Sequence, residues 1–397
     1  MQNYKKICEL LSSEDCKPYV NKLINKNPAQ IVLQYSGKIP CDVAALAELI
    51  KLYQKAADKL PLWVDSRCAL SQRSYEQSTS QLVALYKSTF IKGKKLLILG
   101  GGLGVDEWAL SQTFAQLTTI DNDEALNQIV AFNYPKLAIK NVKRITQTAE
   151  EYLYESDEPF DCIYTDPDRR DEKGERKITL QQSTPDIIAL LPKLWDRTQT
   201  LIVKASPLLD INTAVLQLGN VREVRVIAVK NEVKEILITA EKGFTGIAKT
   251  VAVNHNGSAW QEYTTTQVKN PLPETAPPDC FFEPNTAIIK AGLHQSYAAE
   301  LGLGTIDPKT AYYTGTTPIE DFMGRQFSII NAVPFAKSGI AAYIKQHGLQ
   351  KANVAKRNFR LSVDEIKKLF KIKDGGNEYL FFTQQGTKGI LYHCRPV

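Results

Sequence analysis

Two clusters in this 397-residue chain have the residue types and spacing that chemistry at a bound ligand needs. The first is Gly100-Gly101-Gly102-Leu103-Gly104, directly after the apolar run Leu96–Leu99. Glycines at 100, 102 and 104 permit a tight turn and let backbone come close to a ligand. A helix expected over Val105–Phe114 would aim its N-terminus at the same place. The second cluster is Thr165-Asp166-Pro167-Asp168-Arg169-Arg170, at the end of another apolar run. Asp166 could orient a nucleophilic nitrogen or accept its proton, and Pro167 stiffens the loop. Arg169 and Arg170 could hold a phosphate, or could pair locally with Asp171, Glu172 and Glu175.

The glycine spacing also narrows the ligand. A dinucleotide fingerprint requires glycine where Val105 stands, so Gly-x-Gly-x-Gly favours an S-adenosyl-L-methionine site over a nicotinamide one. A tight turn with no ligand is the alternative. Asp121, seventeen residues after Gly104, ends a second strand-like run and could accept hydrogen bonds from both ribose hydroxyls. Asn122 and Asp123 follow it, and one of the two aspartates could instead cap a helix. Thr148 and Ala149 stand at the end of a third run, where an adenine edge would lie.

These residues need a scaffold that brings strand ends together. Leu96–Gly100, Leu117–Asp121, Val142–Thr146, Phe160–Pro167 and Thr200–Ser206 read as strands. Helical patterns over Val105–Phe114, Glu124–Phe132, Glu150–Tyr154 and Pro185–Leu194 separate them. Val221–Val229 and Lys234–Ala240 read as two closing strands. Strands alternating with helices imply an α/β domain with a mostly parallel, seven-stranded sheet, whose ligands bind beyond the carboxyl ends of the strands. Before it, residues 1–90 read as helical, with an amphipathic pattern over Val43–Lys59 and another over Ser78–Phe90. After it, Lys269–Pro284 carries five prolines and reads as a linker or an extended crossing. The remainder reads as a small α+β module: helices over Thr286–Leu301, Phe335–His347 and Ser362–Phe370, a strand over Gln326–Val333, a strand region over Ala352–Arg360 and a hairpin formed by Glu378–Gln384 and Lys388–Cys394.

Composition sets outer bounds. Hydrophobic residues make up 43% of the chain, enough for packed cores. The net charge of +6 fits a polyanionic partner. Seven dispersed cysteines, none in a Cys-x-x-Cys pair, and four dispersed histidines argue against a disulfide framework and against a metal site. Apolar runs such as Lys95–Leu103 are too short to span a bilayer, and no secretory pattern opens the chain; a soluble, cytoplasmic protein is expected.

The order LLILGGGLG, TTIDND, QTAEEYL, FDCIYTDP resembles class I S-adenosylmethionine-dependent methyltransferases with a Rossmann-like fold. IYTDPDRR, VKNEVKEILI and the tail KRNFRLSVDEIKKLFKIKDGGNEYLFF resemble a narrower bacterial group, mostly from Bacteroidetes, that carries a THUMP-like C-terminal module. That resemblance implies an N-terminal helical domain at 1–90, a methyltransferase domain at 91–243, a linker or extension at 244–279, a ferredoxin-like segment at 280–322 and a THUMP-like domain at 323–397. It implies a cofactor site at Gly100, Gly101, Gly102, Gly104, Asp106, Asp121, Asn122, Thr148, Ala149 and Asp166. Asp166, Pro167, Arg169 and Arg170 would form the catalytic loop. The chain departs from the pattern at Ile98 and Thr148, where many class I enzymes have acids, and Asp106 could partly replace the first. Asp168 and Arg169 stand where base-amine methyltransferases often have proline and an aromatic. Lys356, Arg357, Arg360, Lys367 and Lys368 lie in a basic tail interleaved with aromatics and would contact RNA, ribosomal or transfer. Two further readings are a non-catalytic RNA binder on the same fold, and a methyltransferase of proteins or small molecules whose tail only packs.

Overall fold

The structure is a computed structural model that describes residues 2–167, 179–273 and 278–397. Asp168, Arg169 and Arg170 therefore lie outside the described residues. The chain divides into two units: Met1–Arg222 with Ile238–Gly246, and Glu223–Leu237 with Ile247–Val397.

The first unit is built on strands β1 (Gly93–Leu99), β2 (Phe114–Asp121), β3 (Val142–Thr146), β4 (Cys162–Thr165) and β5 (Thr200–Ala205). All pair in parallel. Leu96, Leu97, Ile98 and Leu99 are buried, as are all four residues of β4, which is why these runs read as continuously apolar. The order is β3-β2-β1-β4-β5, followed by β7 (Glu232–Glu241). The chain winds outward from β1 to β3, then returns to β4 on the other side of β1. That reversal opens a crevice at the carboxyl ends of β1 and β4. Helices at Val105–Leu110, Glu124–Asn133, Ala149–Glu155, Ile187–Trp195 and Ile211–Leu218 connect the strands.

Residues 1–90 form helices, among them Val43–Ala56 and Gln81–Ser88, each started by a side-chain cap from Asp42 and Ser80. Their core is continuous with that of the parallel sheet and its helices. Leu46, Ile50 and Trp63 share one buried cluster with Leu103, Val105 and Trp108 just beyond the glycine loop. The rings of Trp63 and Trp108 meet edge to face at 5.3 Å. Cys16 and Cys41 form a disulfide here, a pair the scattered cysteine spacing did not indicate.

In the second unit, β7 pairs with β6 (Val221–Val229), then β8 (Lys249–His255) and β9 (Trp260–Thr264). The expected seven-stranded sheet thus has nine strands, because part of the stretch expected as a linker is strand. Val251, Ala252 and Val253 are buried beside β6. A second, seven-stranded sheet runs β11-β12-β10-β13-β16-β15-β14. Its strands are β10 (Cys280–Pro284), β11 (Gly304–Thr305), β12 (Tyr313–Gly315), β13 (Gly324–Pro334), β14 (Asn353–Lys356), β15 (Tyr379–Gln385) and β16 (Lys388–Pro396). Phe281, Tyr312, Phe327, Phe381 and Tyr392 form one core, so residues on both sides of position 323 fold together.

Candidate active site

The crevice of the first unit brings the two sequence clusters together. Asp166 donates its backbone N–H to the Leu99 carbonyl at 3.0 Å, seating the end of β4 beside the end of β1. Gly100 has φ +86°, and a Cβ there would stand 2.7 Å from the Asp166 carbonyl oxygen. Only glycine satisfies both conditions. Gly104 has φ +79° and begins the helix Val105–Leu110. Gly102 has φ +50°, and the space where its Cβ would sit is open. The turn therefore presents bare backbone to an open face, which suits close approach of a nucleoside.

Asp121 ends β2 on this turn. Its Oδ2 accepts the Gly102 N–H at 2.8 Å and its Oδ1 accepts the Asp123 N–H at 3.0 Å. A carboxylate retains further acceptor capacity for hydroxyl donors. The helix Glu124–Asn133 is capped by Asp123, and Asn122 is exposed beside it. Thr148 caps the helix Ala149–Glu155 through a capping box with Glu151, so its hydroxyl is already engaged, while Ala149 is buried at the first helical position. Pro167 is buried next to Asp166. Arg169 and Arg170 fall outside the described residues.

Several residues at this site had no motif to announce them. Arg144 on β3, with a side chain only 5% exposed, donates to the Gly102 carbonyl at 2.7 Å, to Asn127, and to Glu107 at 3.3 Å. It also lies 3.5 Å from Asp121. Glu107 is fully buried and accepts the Tyr134 hydroxyl at 2.7 Å. Arg144 thus braces the glycine turn from beneath.

A second polar group lies under the turn. Lys87 pairs with Asp106 at 2.7 Å and donates to the Tyr164 hydroxyl at 3.0 Å. Tyr164 and Thr79 each donate to Asp106 Oδ2 at 3.0 Å. Lys204 on β5 reaches Asp106 at 3.5 Å and Asp166 at 2.5 Å. Burial alone would raise the Asp106 carboxyl, but Lys87 and Lys204 outweigh it and hold it down at about 2. Asp106 is thereby committed to these four protein partners. The signal for Lys204 was in the sequence: a lysine inside the apolar run Leu201–Ala205 is buried only if paired.

In the second unit, the basic residues behave differently from one another. Arg357 donates to the buried Glu283, which also binds Arg325, and its guanidinium sits over Tyr312. Arg360 lies over Phe335. Lys367 pairs with Asp374 at 2.7 Å. Lys356 is exposed and donates to the Phe359 carbonyl, and Lys368 is exposed. The interleaved Phe359, Phe381 and Phe382 are core residues. Lys356 and Arg357 line a polar cleft of about 490 Å³ with His294, Lys309, Thr310 and Asn358. Among the described residues no cluster of three or more potential metal ligands occurs, and no helix is long and apolar enough to cross a membrane.

Comparison with known proteins agrees with this architecture. Residues 324–396 match the THUMP domain-like family, and residues 281–322 match a ferredoxin-like domain family. A crystal structure from Porphyromonas gingivalis W83, assigned as a methyltransferase, is 29% identical with a TM-score of 0.82, over 99% of this chain and 98% of that one. Relatives from two strains of Mycobacterium tuberculosis, uncharacterised S-adenosylmethionine-dependent methyltransferases by name, are 21% identical over 88% of this chain and 96% of theirs. Relatives named S-adenosylmethionine-dependent methyltransferases thus match most of the chain, and the α/β fold of the first unit agrees with them. The matches to ferredoxin-like and THUMP-like domain families cover its C-terminal part.

Proposed function

We propose that this protein methylates a nucleotide of structured RNA, ribosomal or transfer, using S-adenosyl-L-methionine. The observation that carries the cofactor site is the Gly100–Gly104 turn, with bare backbone at Gly102 tied to Asp121 and abutting Asp166. Gly100, Gly101, Gly102 and Gly104 would admit the methionine and ribose, and Asp121 would bind the ribose hydroxyls. Asn122 and the Thr148–Ala149 backbone would flank the adenine. Bound there, the cofactor supplies an electrophilic methyl group. Asp166, with Pro167 stiffening its loop, would orient the nucleophile, chiefly a proximity effect. Arg169 and Arg170 would hold an RNA phosphate. Asp106 would serve the site through its lysine pairs. The THUMP-like match, the net charge of +6 and the cation-lined cleft support RNA as the partner.

Calorimetry with S-adenosylmethionine tests the cofactor site. Wild type should bind, and Asp121→Ala should bind about tenfold or more weakly, the loss of a charged acceptor being of order 1.5–3 kcal/mol. No binding to wild type, or undiminished binding in the variant, overturns the assignment. Labelled methyl incorporation into total RNA from a deletion strain tests the substrate. RNA binding without incorporation would favour the non-catalytic reading.

A further inference from the structure

We infer that Lys204 is a positioning residue for Asp166, set in place by a buried chain of alternating charges, Lys87–Asp106–Lys204–Asp166. The inference rests on the reading of Asp166 as the group that orients the nucleophile. Lys87 and Lys204 have side chains 0% and 6% exposed, and Asp106 is 11% exposed, whereas Asp166 at 28% reaches the crevice. Separations along the chain are 2.7, 3.5 and 2.5 Å. Among the described residues two cations alternate with two anions, and each inner member is flanked by opposite charge on both sides. The tightest contact is the outermost one: Lys204 sits closer to the half-open Asp166 than to the buried Asp106. A pair serving only to neutralise Asp106 would not need that approach. Tyr164, on the strand that ends just before Asp166, donates to Asp106 and so fixes the middle of the chain to β4 itself.

The consequence for chemistry is specific. A carboxylate hydrogen-bonded to a buried ammonium loses rotamer freedom. Asp166 then presents its remaining lone pairs as a fixed acceptor for an N–H of the incoming nucleophile. The chain also begins on the helix Gln81–Ser88, so the N-terminal helices supply part of the machinery and are more than a separate accessory.

The test compares Lys204→Met, which keeps length and removes charge, with Lys204→Arg, which keeps charge. In the cofactor-free protein, the ¹³C-carboxyl resonance of Asp166, assigned through Asp166→Asn, should move in Lys204→Met and stay near its wild-type position in Lys204→Arg. In single-turnover methylation of deletion-strain RNA, Lys204→Met should slow transfer about a hundredfold. Its S-adenosylmethionine affinity should stay within about threefold of wild type, since the Gly100–Gly104 turn and Asp121 are untouched. Lys204→Arg should recover at least part of the rate. Combining Asp166→Asn with Lys204→Met should cost little more than either alone. Additive losses, equal losses of affinity and rate, or an unmoved Asp166 resonance would overturn the inference. If Lys204→Met does not fold, Lys204→Gln takes its place in each arm. Failure of wild type to bind the cofactor overturns the proposed function instead, while the cofactor-free spectrum still decides the pairing.

Discussion

Arg144 shows how a single buried side chain can set the shape of a ligand loop. Its guanidinium joins the Gly102 carbonyl, Asn127 and Glu107, and Glu107 has no solvent to fall back on. Replacing Arg144 with Met strands the Glu107 charge, and breaking a buried pair in this way costs about 3–5 kcal/mol. Arg144→Met should therefore lower the thermal midpoint of the first unit by several degrees and weaken S-adenosylmethionine binding. Arg144→Met with Glu107→Gln should recover much of the stability without the affinity, because the orphan charge is gone but the turn is still unbraced. Full recovery of both would show that Arg144 acts only through Glu107. At this scale the sequence told half the story. Glycines and terminal acids advertise themselves because few residues tolerate φ of +50° or +86°, and few accept two donors at a strand end. Arg144 and Lys87 did not, because a cation on an element's surface and a cation turned inward look identical until the partner is placed.

Elements were legible where one force dominated. β3 was read with its observed bounds, Val142–Thr146, and β6 likewise, Val221–Val229. The helix Val363–Phe370 was legible because Ser362 and Glu365 form a capping box ahead of an apolar stripe. Ser362→Ala should cost about 1 kcal/mol, read as a drop in the urea midpoint with unchanged slope. A Ser362→Asp variant should retain most of that stability, since aspartate also caps. Misreadings had physical causes. Val105–Phe114 was read as one helix, yet the helix stops at Leu110 and Phe114 opens β2, because Phe114 packs into the sheet beside Gly93. Thr286–Leu301 was read as one helix and is two, broken at Gly292 with φ +73°. Strands β8 and β9 were hidden by the prolines that follow them. Burial on one short run, Val251 to Val253, carries too few residues to establish a period.

Across the molecule, the titrating histidines of the second unit make stability depend on mild acid. His393 is 2% exposed, bonded to the Tyr343 hydroxyl at 2.9 Å and to Glu378 at 2.6 Å. Burial lowers its pKa below the usual 6.5, although Glu378 opposes this, and burial followed by Arg357 lowers that of His294. The unfolded chain then binds protons that the folded one resists. The stability these neutral rings contribute is complete above about pH 6.5 and declines as pH falls below it. Urea midpoints should drop between pH 7 and pH 5.5, and His393→Gln should flatten part of that slope. An unchanged slope would mean that another group titrates.

The same unit decides the RNA question by its response to salt. Each phosphate neutralised by a lysine or arginine releases counterions, so log affinity falls linearly with log salt, by about 0.7–0.9 per contact. The basic residues are not equivalent donors to that slope. Lys367 already faces Asp374, and Arg357 shares Glu283 with Arg325, so engaging a phosphate would first require giving up a carboxylate. Lys356, exposed at the edge of the cation-lined cleft and donating to the Phe359 carbonyl, makes no ion pair among the described residues. Lys356→Ala should thus reduce the slope by about 1, and Lys367→Ala should change it by clearly less. Filter binding of deletion-strain RNA from 50 to 200 mM salt measures both. Equal effects would mean that the ion pairs seen here open on binding. A flat salt response in wild type would remove phosphate contacts from the mechanism and leave the methyltransferase with a substrate that is not a nucleic acid.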